Sequence, residues 1–128
     1  MRRLRILLVE DDAVISALVA DVLAELGHDV CGTARTEQEA IDAAALHKPD
    51  LMIVDAYLQA GNGVSAMDAI LQRSAMPHIF MTGGSRQVIP AQATVLYKPF
   101  GKTGLTAALN SLAGQIAMFS KGSALAPP

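Results

Sequence analysis

Pro49-Asp50-Leu51-Met52-Ile53-Val54-Asp55 sets a helix-breaking proline before a short apolar run that closes on a carboxylate. An apolar run without alternation suits a strand buried on both faces, the position that parallel sheets create. The same kind of run recurs on either side. Leu4-Arg5-Ile6-Leu7-Leu8-Val9 leads into Glu10-Asp11-Asp12, His78-Ile79-Phe80-Met81 follows Pro77 and leads into Thr82, and Thr94-Val95-Leu96-Tyr97 leads into Lys98. His28 to Thr33 is a further strand. Segments of helical spacing lie between. Ile15, Leu18, Val19, Val22 and Leu26 follow a cap at Asp11 or Asp12 and stop at Gly27. Thr36-x-x-Glu39 is a capping-box pattern that opens a helix towards His47. Ala60-Gly61-Asn62-Gly63 leads into a helix carrying Val64, Met67, Ile70 and Leu71, and Leu105, Leu109, Leu112, Ile116 and Phe119 mark a last one.

Strands alternating with helices imply an α/β fold, a parallel sheet with helices on both faces. Right-handed crossovers leave few topologies, and the flavodoxin-like five-stranded order 2-1-3-4-5 is the economical one. The 128 residues fit one domain, expected over 1–119, with 120–128 as a disordered tail. The lone Cys31 excludes an intramolecular disulfide and fits a reducing cytosol. No apolar run reaches membrane-spanning length, and the run behind the basic start Met1-Arg2-Arg3 is too short for a signal peptide. A cytoplasmic protein without membrane contact is expected. All 12 acids lie between Glu10 and Asp68, while the five cations after Asp68 are too few and scattered for a nucleic-acid footprint.

In such sheets the ligand site lies at the carboxyl ends of the strands, near the switch point between the first and third. Glu10, Asp11 and Asp12 end one of these strands and Asp55 the other. Carboxylates brought together repel unless a cation neutralises them or some take up protons, and hard oxygen donors suit Mg²⁺. Capping explains Asp11 and Asp12 in part, but not Asp55. Thr82 and Lys98 end the fourth and fifth strands. Taken singly, Thr82 reads as a turn residue and Lys98 as a salt-bridge partner. Together with the acids they supply what a phosphoryl group on Asp55 needs: a carboxylate nucleophile, a hydroxyl and neutralising charge.

At these residues the chain resembles a bacterial two-component response-regulator receiver domain, over about Leu4 to Phe119. Ile6 to Asp12 resembles the family's first strand and acidic pocket, and Pro49 to Asp55 its phosphoacceptor strand. Gly63 falls where its loop glycine starts helix 3, and Tyr97-Lys98-Pro99-Phe100 resembles its Lys-Pro-Phe motif. The resemblance implies phosphorylation at Asp55, direct binding of Mg²⁺ by Asp11, and a contribution from Glu10 through a metal-bound water. It also implies that the Tyr57 backbone carbonyl completes the protein ligands, that Thr82 and Lys98 contact the phosphoryl group, and that the Lys98-Pro99 bond is cis. Asp12 is left with capping work.

Three departures stand out. Val95 occupies the position three before the lysine where the family usually has Tyr or Phe, and Tyr97 is out of register with it. Only 15 residues separate Thr82 from Lys98, and Gly83, Gly84 and Pro90 oppose a helix among them, so helix 4 is expected to be short, distorted or absent. Gln59 stands where the family commonly has Pro, a change expected to weaken nothing in the chemistry. Other motifs fail. Gly101-Lys102-Thr103 lacks the earlier glycine of a phosphate-binding loop, and His28, His47 and His78 have no metal-ligand spacing.

The expected function is therefore a signalling receiver rather than an enzyme acting on other substrates. It would accept phosphoryl from a sensor histidine kinase or histidine phosphotransfer protein. It would signal through protein contacts, with a homodimer as one form. An uncharged last helix, with Met118 opposite Leu105, fits a protein partner and fits equally an Ala-rich helix with one stray Met. One alternative is a pseudo-receiver, an interaction module that is not phosphorylated. Another is the receiver piece of a longer transcription regulator. A phosphohydrolase of the aspartyl-phosphate type is disfavoured, because Tyr57 stands where such enzymes place a second Asp.

Overall fold

The structure is a computed structural model that describes residues 2–124, with side chains through Phe119. Its core is a five-stranded parallel sheet in the order β2-β1-β3-β4-β5. The strands are β1 (Arg5–Val9), β2 (Asp29–Ala34), β3 (Leu51–Asp55), β4 (His78–Thr82) and β5 (Val95–Tyr97). The helices are α1 (Ala13–Glu25), α2 (Glu37–His47), α3 (Gly63–Leu71), α4 (Lys102–Ser111) and α5 (Ala113–Ala124).

The pleat sorts the strand side chains into two layers. Ile6, Leu8, Leu51, Ile53, Ile79, Met81 and Leu96 pack with α1 and α4; Leu7, Val9, Met52, Val54 and Phe80 pack with α2 and α3. β3 is buried at every position, as its unbroken apolar run requires. Asp12 rather than Asp11 caps α1, accepting from the Val14 and Ile15 N–H groups at 2.9 and 3.1 Å. Gly27, at φ +87°, lets the chain leave that helix in the left-handed region. Thr36 caps α2 through the Glu39 N–H at 3.1 Å, whereas the Glu39 carboxylate reaches back to the Arg35 N–H, one residue beyond the Thr36 N–H that a full capping box uses.

Two expectations about the C-terminal third need correction. No helix lies between β4 and β5, as the glycines and Pro90 foretold, but the last helix is not continuous. It breaks at Leu112 into α4 and α5, because the Leu112 N–H bonds to Leu109 and the chain leaves the helical path there. Periodicity alone hides such a break, since both segments keep an apolar stripe. The break also lets α5 contribute Ile116 to the first layer and Phe119 to the second. α5 then continues to Ala124, so Ser120–Ala124 is helical rather than the start of a tail; of those five residues only Gly122 disfavours a helix. The rest of the expected tail, 125–128, lies outside the described residues.

The 83–94 segment has its own fastening. The Arg86 guanidinium donates to the carbonyls of Pro90, Ala91 and Ala93 at 3.0, 2.8 and 3.4 Å, and Ile89 is buried in the second layer.

Candidate functional site

Parallel register brings the carboxyl ends of the strands to one edge, with Val9 opposite Val54 and Asp55 opposite Met81. The residues just beyond them therefore converge. Single oxygens of Glu10, Asp11 and Asp55 lie within 4.8 Å of one another. Glu10 and Asp55 are 2% and 6% exposed, an environment in which two carboxylates cannot stay charged unaided.

Lys98 supplies the compensation. Its Nζ donates to Glu10 Oε1 at 2.6 Å and to Asp55 Oδ2 at 2.8 Å. Burial alone would favour the neutral amine, but the two carboxylates outweigh it and raise the Lys98 pKa. One ammonium cannot serve both acids fully. Burial and the neighbouring Asp55 push Glu10 up to about 7, against the pull of Lys98. Backbone donors take remaining oxygens: Asp11 N–H on Glu10 Oε2 at 3.0 Å, and Tyr57 N–H on Asp55 Oδ1 at 2.9 Å. The Tyr57 peptide thus lies against the cluster. The Lys98-Pro99 bond is cis.

Thr82 is completely buried at the end of β4, and its hydroxyl donates to the Ser85 carbonyl at 3.2 Å while accepting from the Gly84 N–H at 3.2 Å. Four of the sequence-derived side chains, Glu10, Asp11, Asp55 and Lys98, thus meet in one cluster. Thr82 sits at the same sheet edge with its proton committed to the next loop.

The donor set fits a hard divalent cation. Three carboxylates converge in a pocket with one ammonium, which leaves excess negative charge, and every ligating atom is oxygen.

Sequence reasoning missed several contacts. The Gln59 N–H donates to Asp11 Oδ2 at 2.7 Å, so the non-proline residue at 59 fastens the loop to an acid of the cluster, a bond proline cannot make. Glu37 Oε1 holds the other side of that loop through the Asn62 N–H at 3.0 Å. The Tyr57 hydroxyl donates to the Ser85 carbonyl at 3.0 Å. Backbone acceptors carry no residue signature, so nothing at Ser85 could have announced this contact. Gly63 is required for closeness: its N–H bonds to the Ala56 carbonyl, and a Cβ there would run into the Asp55 carbonyl oxygen.

The profile of the response regulator receiver domain family matches residues 6–110, most of the chain. The chain belongs to the response regulator receiver family. The receiver is 33% identical over 111 residues to the transcriptional regulatory protein PdtaR of Mycobacterium tuberculosis, covering 82% of this chain and 54% of that protein. It is 31% identical over 113 residues to the chemotaxis protein CheY of Bacillus subtilis, covering 83% and 94%. Among solved structures it resembles the anti-anti-sigma factor PhyR of Bartonella quintana, with a TM-score of 0.79 and 28% identity, covering 98% of this chain and 53% of that one. The receiver thus spans about half the length of PdtaR and of that PhyR chain. Receiver domains are signalling modules, and no helix among the described residues is long and apolar enough to cross a membrane.

Proposed function

We propose that Asp55 is the phosphoacceptor of a phosphorylation-dependent signalling receiver. The observation that carries this reading is the pair of contacts from Lys98 Nζ to Asp55 and Glu10, which gathers an acceptor carboxylate, a second acid and a counter-ion at one strand edge. Glu10, Asp11, Asp55 and the Tyr57 backbone carbonyl would hold Mg²⁺, which when bound neutralises charge on the phosphoryl oxygens.

The donor is the phosphohistidine of a sensor histidine kinase or histidine phosphotransfer protein. An Asp55 carboxylate oxygen attacks phosphorus, the O–P bond forms as the N–P bond breaks, and the imidazole departs with its proton. The Lys98 ammonium follows the charge from the carboxylate to the transferring group, and the Thr82 hydroxyl turns from Ser85 to a phosphoryl oxygen. Hydrolysis of the acyl phosphate resets Asp55, so the chain catalyses only its own loading and unloading. An apolar cleft of about 370 Å³ lies beside Lys98, lined by Ile15, Leu18, Val19, Val22, Pro99 and Phe100, and gives the donor protein a face to grip.

Output goes through protein contacts in the cytoplasm. The likeness to a protein named as an anti-anti-sigma factor supports a protein target, and exposed Met118 and Tyr97 suit such a contact, a homodimer included. The rival reading, an interaction module that is never phosphorylated, draws on Val95 and on the missing helix between β4 and β5. Intact mass after incubation with acetyl phosphate and Mg²⁺ separates the two. One added phosphoryl group, absent without Mg²⁺ and in Asp55→Asn, is expected. No adduct on folded protein from either acetyl phosphate or a phosphorylated histidine phosphotransfer protein would leave the interaction module.

A further inference from the structure

One backbone oxygen serves two hydroxyls. The Ser85 carbonyl accepts from Thr82 Oγ1 at 3.2 Å and from the Tyr57 hydroxyl at 3.0 Å. Thr82 comes from the end of β4, and Tyr57 from the loop after β3, where its own N–H is bound to Asp55. The 83–94 segment is thus moored at Ser85 by both neighbours of the acceptor strand end, and beyond Ser85 by Arg86 and buried Ile89.

A threonine hydroxyl has one proton to donate. When Thr82 gives it to a phosphoryl oxygen, the Ser85 carbonyl loses that donor, and the exposed start of the 83–94 segment loses its tie to the end of β4. Among the donors the structure gives to that oxygen, the Tyr57 hydroxyl is what remains.

We infer that Tyr57 is a positioning residue whose hydroxyl keeps the Ser85 carbonyl occupied, freeing Thr82 to engage the phosphoryl group without releasing the 83–94 segment. The inference rests on the phosphoacceptor reading of Asp55 and adds to it a role for the Tyr57 side chain, distinct from that of its backbone carbonyl. With valine at 95, the mooring runs through the loop itself.

Amide hydrogen exchange at Ile89 and Ala93 tests it, since each N–H is bonded within the segment, to Arg86 and Pro90 carbonyls at 2.9 and 3.1 Å. The full chain, Tyr57→Phe, Thr82→Val and the double variant are compared with and without beryllofluoride and Mg²⁺, with bound fluoride read by fluorine NMR. Loading should leave exchange in the unaltered chain within about twofold, and raise it in Tyr57→Phe by about threefold to tenfold, the range of one neutral hydrogen bond. Equal responses with fluoride bound in both would overturn the inference. Failure of the unaltered chain to bind fluoride would count against the phosphoacceptor reading instead. If either protein takes up no fluoride, the unloaded comparison decides. Either hydroxyl alone can satisfy Ser85, so the double variant should exchange faster than the product of the single effects; simple multiplication of those effects would overturn the inference.

Discussion

Lys98 Nζ stands 2.6 Å from Glu10 Oε1 and 2.8 Å from Asp55 Oδ2, so a single ammonium at the end of β5 joins acids from the ends of β1 and β3. Removing it leaves buried carboxylates facing each other. Lys98→Met is expected to lower stability in urea by about 3 kcal/mol at most, the low end for breaking a buried pair, because Glu10 can take up a proton. Equilibrium unfolding with an unchanged m-value would check it; equal stability would mean the contacts are energetically idle.

If the carboxylate cluster holds Mg²⁺ as proposed, stability will depend on the ion. A cation that binds only the folded chain adds about 2.7 kcal/mol at one hundred times its dissociation constant. The melting temperature should rise with Mg²⁺ concentration in the unaltered chain and barely move in Asp11→Asn. A parallel rise in both would place the ion elsewhere.

His28 gives a pH dependence independent of that cluster. It is buried, and its Nδ1 accepts from the Leu4 N–H at 3.1 Å, which requires that nitrogen to be unprotonated. Burial lowers its pKa from 6.5, with Asp29 opposing. The folded pKa is depressed, so its contribution is fully present above 6.5 and is lost as pH falls through the folded value. Stability should therefore decline more between pH 7 and pH 5 in the unaltered chain than in His28→Asn. Identical slopes in urea titrations would contradict this.

Much of this was legible beforehand, and the reasons are local. β3 could be bounded to the residue because Pro49 and Asp55 bracket an unbroken apolar run. Glu10, Asp11, Asp55 and Lys98 could be gathered because a parallel sheet puts the ends of its strands on one edge. The break at Leu112 could not be read, because Leu109, Leu112 and Ile116 keep helical spacing across it. Nor could the bonds at Gln59 and Ser85, which use backbone groups that every residue carries.

Gly63 is the tightest point of the loop after the acceptor strand. Its φ is not the difficulty; the space is, since a methyl group would meet the Asp55 carbonyl oxygen. Gly63→Ala should destabilise by about 1–3 kcal/mol through forced backbone displacement, whereas Gly114→Ala, with nothing near its added carbon, should be neutral or better. Thermal melts of the two variants would show whether closeness or mere flexibility selects glycine at 63.

Arg86 does the work of a missing helix by gathering carbonyls of the 83–94 segment. Arg86→Ala should speed thermolysin cleavage near Val88 and Ile89 several-fold while shifting global unfolding by about 1 kcal/mol or less. A global loss as large as the local one would mean that the segment melts only with the whole domain.

α5 gives Ile116 to one face of the sheet and Phe119 to the other. A helix that touches both layers in this way joins parts of the core that the sheet otherwise keeps apart. Loosening it exposes apolar surface on both sides at once, so the two halves of the core are bound to lose their order together. The last helix therefore adds a second link between the two layers, beside the one the strands themselves provide.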